Sequence, residues 1–310
     1  MRAAWIETYG GAEVVRLGNV ETPRPGPREI LVAVRAASVN PIDWKLRQGL
    51  LREVFPLTLP IVLGRDFSGV VAATGGEVAD FHVGDEVFGL ADVTRGGSHA
   101  EFVAADHRVA ARKPRNLSHI EAASLPLVGL TALTALDDVA RLHAGQRVLI
   151  HAGAGGVGGF AVQYANHVGA LVAATCRSEN VAYVAGLGAD RVIDYADEDF
   201  AALLSDLDLV FDTLGGDVHR RSFAVLRPGG TLVHINAAPL PGDVPRSDVA
   251  VKAAMVTGRR EVFERIADLA ERKIVAPQVT EVLPLAEAAR GYELSRGGHV
   301  RGKIVLDVTA

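Results

Sequence analysis

The chain has 310 residues, 49% of them apolar and 22% charged, with a formal net charge of −5. That length is large for one core and predicts two domains. The mild acidity and the absence of a basic run exclude a partner of the nucleic-acid kind.

In chain order, residues 1–123 carry short apolar runs separated by Pro/Gly turns, such as Pro23-Arg24-Pro25-Gly26-Pro27, Thr74-Gly75-Gly76 and Gly84-Asp85. Runs 30–34 and 69–73 read as strands, so this stretch is predicted mostly β. From 124 to 272, strand patterns at 148–151, 171–175, 191–193, 207–211 and 231–235 alternate with helical ones. That alternation predicts a parallel sheet wound on both faces. Residues 273–310 hold a short helix near 284–294 and a strand at 303–306. They are too few for a core and are expected to rejoin the first domain. The fold class is therefore α/β: a mostly-β domain (1–123 and 273–310) and a doubly wound domain (124–272).

The most specific stretch is Arg147-Val-Leu-Ile-His-Ala-Gly153-Ala-Gly155-Gly156-Val157-Gly158. An apolar strand, Gly-x-Gly-x-x-Gly and a helical pattern follow one another, as in the phosphate-binding turn of a dinucleotide fold. Gly153 permits the tight turn, Gly155 lets backbone approach a pyrophosphate, and Gly158 lets helix pack on strand. An NAD site usually ends its next strand with an acid on the ribose 2′-hydroxyl. Here that stretch is Thr175-Cys176-Arg177-Ser178. Arg177 suits a 2′-phosphate and Ser178 adds a neutral hydrogen bond, so the expected cofactor is NADP(H). Cys176, the single cysteine, excludes an internal disulfide and any zinc site built from several cysteines. It is expected to be a buried, inert thiol. Met1-Arg2-Ala3-Ala4-Trp5 lacks a signal-peptide core and no apolar stretch approaches spanning length. The expected location is cytoplasmic, with no membrane partner.

Several segments together resemble the zinc-independent medium-chain dehydrogenases/reductases of the quinone oxidoreductase type, over nearly the whole chain. They are Ala37-Ser38-Val39-Asn40-Pro41-Ile42-Asp43-Trp44-Lys45, Gly64-Arg65-Asp66-Phe67-Ser68-Gly69, Gly84-Asp85-Glu86-Val87, Gly129-Leu130-Thr131-Ala132, the glycine turn, Asp212-Thr213-Leu214-Gly215-Gly216 and Arg301-Gly302-Lys303-Ile304-Val305. The resemblance implies a GroES-like catalytic domain interrupted by a Rossmann domain, with the active site in the cleft between them. It also implies a homodimer formed by Rossmann edge strands, for which 231–235 is the expected edge. It adds Thr131 and Tyr195 as cofactor contacts and completes that set with Gly156, Val157, Thr175, Leu214 and Ile235.

In zinc-using relatives a cysteine stands where this chain has Asn40, and Gly-His-Glu where it has Gly64-Arg65-Asp66. Arg65 is a permanent cation that repels a metal, so no metal site is expected. Without zinc to activate an alcohol, the expected reaction is hydride delivery to an electron-poor carbon of a small-molecule acceptor: a quinone or an α,β-unsaturated carbonyl. Enoyl-thioester reduction and non-catalytic NADPH binding are the alternatives. The first is weakened because Gln48-Gly49-Leu50-Leu51 lacks the tyrosine that enoyl reductases often carry there.

The catalytic candidates are Asn40, Asp43 and Lys45. The Asn40 amide suits the substrate carbonyl or the nicotinamide amide, though an Asx-type turn before Pro41 accounts for it on local chemistry. Asp43 and Lys45 suit substrate positioning or proton relay, with a surface ion pair as the simpler account. His99 either faces the ligand or, more economically, is a satisfied non-catalytic histidine. No essential group titrating near neutrality is expected. Leu50, Leu51, Phe55 and Leu240 are apolar loop residues compatible with many flat or linear ligands.

Overall fold

The computed structural model describes residues 1–235 and 246–310. The chain divides into two compact units. One comprises Met1–Leu127, Gly258–Lys273 and Pro277–Ala310; the other comprises Val128–Thr257 and Ile274–Ala276.

The N-terminal elements are β1 (Arg2–Ile6), β2 (Val15–Asn19), β3 (Glu29–Val39), α1 (Pro41–Arg47), β4 (Ile61–Val62), β5 (Asp66–Thr74), β6 (Glu86–Leu90), β7 (Phe102–Asp106), β8 (Ala110–Arg112) and α2 (His119–Ala123). Next come α3 (Pro126–Leu133), β9 (Arg147–Ile150), α4 (Gly156–Val168), β10 (Leu171–Cys176), α5 (Val181–Gly186), β11 (Arg191–Asp194), α6 (Phe200–Leu203), β12 (Leu207–Asp212), α7 (Gly216–Ser222), β13 (Leu226–His234) and β14 (Ala250–Ala253). The chain returns through α8 (Arg260–Glu271), β15 (Val279–Pro284), α9 (Ala288–Arg296) and β16 (Lys303–Asp307).

The first unit is the expected mostly-β domain. One sheet runs β2-β1-β4; the other runs β15-β16-β3-β5-β6-β8, with β7 also paired to β3. Along β3, Ile30, Val32 and Val34 alternate inward, the period of a strand with one face on a core. They pack with Ile6, Phe67, Val71, Val87 and Leu306. Strand β16 lies antiparallel to β3, with Ile304 opposite Val39, so the C-terminal residues complete this sheet.

The second unit is a six-stranded sheet in the order β11-β10-β9-β12-β13-β14. All its pairs are parallel. The order reverses between β9 and β12, and a dinucleotide fold binds its ligand at the carboxyl ends of the strands there.

Two expectations change. Residues 231–235 are not the sheet edge, because β14 pairs with β13 (Thr231 with Ala250, His234 with Ala253) and takes that place. The short Ala250-Val251-Lys252-Ala253 run, largely exposed, has no alternation to mark it as a strand. Residues 258–272, placed with the second domain on sequence, group with the first. Helix α8 buries Phe263, Ile266, Leu269 and Ala270, and the Phe263 ring meets Phe88 edge-on at 6.4 Å. Its Arg260 reaches Asp80 and the His107 carbonyl. Among the described residues no helix is long and apolar enough to cross a membrane.

Candidate functional site

In the second unit, β9 ends at Ile150 and the chain turns through Ala152, whose φ of 53° lies in the left-handed region. The Gly153 amide donates to the Thr175 carbonyl at 2.8 Å, holding the turn on β10. A Cβ on Gly158 would stand 2.1 Å from the Ala152 carbonyl oxygen, so only glycine lets α4 start this close to the turn. Gly155 differs: a Cβ there would come no nearer than 3.4 Å to any protein atom. The protein itself does not need a glycine at that position, whereas close approach of a phosphate does. Gly156, Val157 and Gly158 open the 13-residue α4, where amides lack acceptors within the helix. This cradle fits a dinucleotide pyrophosphate.

At the carboxyl end of β10, Thr175 is buried, and its hydroxyl lies 3.1 Å from His151 Nδ1 and 3.2 Å from the Ala152 amide. Arg177 Nε donates to the Tyr195 hydroxyl at 3.0 Å, so the two residues expected at a 2′-phosphate stand together. Ser178 is engaged otherwise. It hydrogen-bonds the Asp194 carboxylate, holding that group below the usual carboxylate range. Asp194, at the end of β11, was not foreseen; nothing local in its sequence links it to Ser178. Cys176 is buried and its thiol is pushed up to about 11 by burial, with Asp194 adding to the effect. Its burial is as expected. Thr131 is buried in α3, Leu214 is half-exposed after β12, and Ile235 follows β13.

In the first unit, three adjacent strands assemble a buried polar cluster. Asn40 follows β3, Asp66 opens β5 opposite Ser38, and Lys303 opens β16. Lys303 Nζ donates to the Val39 carbonyl (2.9 Å) and to Asn40 Oδ1 (2.6 Å), and lies 3.6 Å from Asp66 Oδ2. Asn40 Nδ2 donates to Asp66 Oδ2 at 2.8 Å, and the Ser38 hydroxyl donates to the same oxygen at 2.5 Å. Asp66 Oδ1 accepts the Leu127 amide at 2.8 Å. Burial lowers the Lys303 pKa, while Asp66 and then Asp43 oppose that shift. Lys303 and the bridging role of Asp66 were missed on sequence. The available signal was a lysine opening an apolar C-terminal strand that must be buried.

Helix α1 starts where Pro41 presets the first turn, and the Asp43 carboxylate accepts the Asn40 amide at 2.7 Å. The expected surface ion pair does not form. Asp43 is fully buried, while Lys45 is half-buried with Nζ 5.6 Å from the Trp44 ring centroid. Residues two apart on a helix point to different sides. Burial pushes the Asp43 carboxyl up to about 7, against the lowering effect of the Asn40 amide. Burial thus brings the Asp43 carboxyl into the neutral range, which is separate from the expectation that no group essential to turnover titrates there. Because the folded value lies above the unfolded one, the folded chain binds more protons between about pH 4 and 7, and stability falls as pH rises through that window. Asp43→Asn keeps the acceptor for Asn40 and should raise the melting temperature more at pH 8 than at pH 5. An equal change at both pH values would dismiss Asp43 as the titrating group.

His99 is buried, with Nδ1 2.6 Å from the Tyr292 hydroxyl and Nε2 3.3 Å from the Ser38 carbonyl. Burial depresses its pKa to about 4, so it is a satisfied, neutral histidine. Gly64, with φ 98°, is where this ring packs: a Cβ would stand 2.4 Å from the imidazole. Leu51 and Phe55 pack on the core while Leu50 is exposed; Leu240 lies outside the described residues. Among the described residues, no group of three or more His, Cys, Asp or Glu side chains is arranged to hold a metal.

The chain matches the alcohol dehydrogenase GroES-like domain over residues 26–115 and the zinc-binding dehydrogenase domain over 187–306. It is 32% identical to the chloroplast envelope quinone oxidoreductase homolog of Arabidopsis thaliana, covering 99% of this chain and 98% of that protein. It is 33% identical to a chloroplastic NADPH-dependent alkenal/one oxidoreductase of the same plant, covering 98% of this chain and 78% of that protein. The solved quinone oxidoreductase from Coxiella burnetii superposes with a TM-score of 0.93 at 35% identity, covering 99% of each chain. Glycine turn, strand order and these relatives agree: the chain belongs to the medium-chain dehydrogenase/reductase family, in its quinone oxidoreductase branch.

Proposed function

We propose that this oxidoreductase transfers hydride from NADPH to a quinone or an α,β-unsaturated carbonyl, with Asn40 donating a hydrogen bond to the acceptor's carbonyl oxygen. The state of the Asn40 amide carries this reading. Its oxygen accepts from the Lys303 ammonium and one of its two N–H groups goes to Asp66. The orientation is thereby locked and one N–H is left over. A cation on the amide oxygen polarises the group and strengthens that remaining donor, most of all where water is excluded. An amide so placed stabilises negative charge developing on a carbonyl oxygen. The donor set suits no divalent cation, since the ammonium lies 2.6 Å from the oxygen a metal would need.

NADPH, when bound, supplies the hydride. Gly155 and the first amides of α4 would hold its pyrophosphate. Arg177 and Tyr195 would hold its 2′-phosphate, and the absence of an acid at 175–178 supports NADPH over NADH. With Ser178 given over to Asp194, Arg177 carries most of that preference.

The test is NADPH and NADH consumption with a quinone, a medium-length alkenal and a crotonyl thioester, run on the parent and Arg177→Ala. The parent should oxidise NADPH with one of the first two acceptors. The variant should lose about tenfold to a hundredfold in NADPH affinity, the worth of one charge-assisted contact, with NADH little changed. Equal parent affinities for both cofactors would defeat the NADPH assignment. Tight NADPH binding with silence across the panel would replace the enzyme reading by a binding protein.

A further inference from the structure

The carboxyl end of β12 carries a second buried polar network, centred on Asp212 and His219, whose role is unassigned above. Asp212 is fully buried. Its Oδ1 accepts the amides of Leu214 (2.8 Å) and Gly215 (2.9 Å), and its Oδ2 accepts from His219 Nδ1 at 2.7 Å. His219 lies within α7, and its ring meets those of Phe223 and His234 edge-on, with centroids 5.5 and 5.6 Å apart. The other end of the 213–216 turn is tied down as well. The Thr213 hydroxyl donates to the His151 carbonyl at 3.0 Å, and the His151 ring lies between the hydroxyls of Thr175 and Ser222. This turn is thus bolted to the residue that precedes the glycine turn.

In a sheet of this order the two nucleotide halves lie on opposite sides of the reversal. Arg177 and Tyr195 mark the β10–β11 side for the adenosine half, which leaves the turn after β12 to the nicotinamide half. We infer that His219 is a positioning residue for the nicotinamide end of the cofactor, acting by holding the Asp212 carboxylate that shapes the 213–216 turn. Without the His219 donor, a buried carboxylate oxygen is left unpaired. The group then turns, and the Leu214 and Gly215 amides lose their shared acceptor. The inference rests on the dinucleotide reading above.

Calorimetric titration with two ligands separates the possibilities: NADPH, and adenosine 2′,5′-bisphosphate, which has no nicotinamide. His219→Leu should weaken NADPH about tenfold or more while leaving adenosine 2′,5′-bisphosphate within about threefold. His219→Asn, whose amide keeps an N–H near the Nδ1 position, should restore NADPH binding. Should His219→Leu not fold, His219→Gln, polar and with its donor displaced, is expected to show the same split. Equal weakening of both ligands, or of neither, overturns the role of His219. A parent protein that binds neither ligand overturns the dinucleotide reading itself.

Discussion

Replacing Lys303 with methionine should destabilise the protein by about 3 kcal/mol or more, the usual cost of leaving one member of a buried ion pair behind. Lys303 is 5% exposed and its three polar neighbours, the Val39 carbonyl, Asn40 Oδ1 and Asp66, are buried with it. Methionine fills the volume but leaves Asp66 charged in a dry site, with only neutral donors from Ser38, Asn40 and the Leu127 amide. Pairing Lys303→Met with Asp66→Asn should recover much of the loss, because removing both charges also removes their desolvation cost. Urea unfolding of the parent, both single variants and the double variant measures the coupling. Strictly additive losses, or a Lys303→Met loss under about 1 kcal/mol, would mean that the ammonium and carboxylate do not depend on each other.

The second large effect concerns turnover. Asn40→Ala removes the polarised N–H and should lower kcat by about tenfold to a thousandfold, the range for losing one donor to a developing oxyanion. NADPH affinity should stay close to the parent value, because every dinucleotide contact proposed above lies in the other unit. Lys303→Met should lower kcat in the same direction by a smaller factor, since it leaves the amide in place without its polarising cation. Single-turnover measurements at saturating NADPH read both directly. If Asn40→Ala turns over within about twofold of the parent, the carbonyl oxygen is held by some other group.

How much was legible beforehand followed from how local each signal is. The cradle of Gly153, Gly155 and Gly158 could be read because strand, turn and helix lie within a few residues and each glycine has a steric reason on the spot. The pairing of Arg177 with Tyr195 needed the family resemblance, since two strand ends must meet to make it. The edge of the Rossmann sheet was misread because β14 is short, exposed and without alternation, and only its hydrogen bonds to β13 reveal it. Asp43 was read as a surface group because a charged residue next to a lysine on a short helix usually is one. Which face of α1 turns inward is set by packing in the first unit, and there the carboxyl is fully buried.

By itself, the amino-acid sequence determined the architecture and the kind of ligand: an α/β chain whose N- and C-terminal stretches share one mostly-β unit around a dinucleotide-binding sheet. Periodicity, turn residues and glycine spacing act over a few residues, so they survive in a linear string. The tertiary structure alone decided the chemical state of Asn40. Its partner Lys303 lies 263 residues away and Asp66 lies 26 away, joined only because β16, β3 and β5 are neighbours in one sheet. Burial there turns an amide, an ammonium and a carboxylate into one locked unit, since in a dry interior none of the three can be left unpaired.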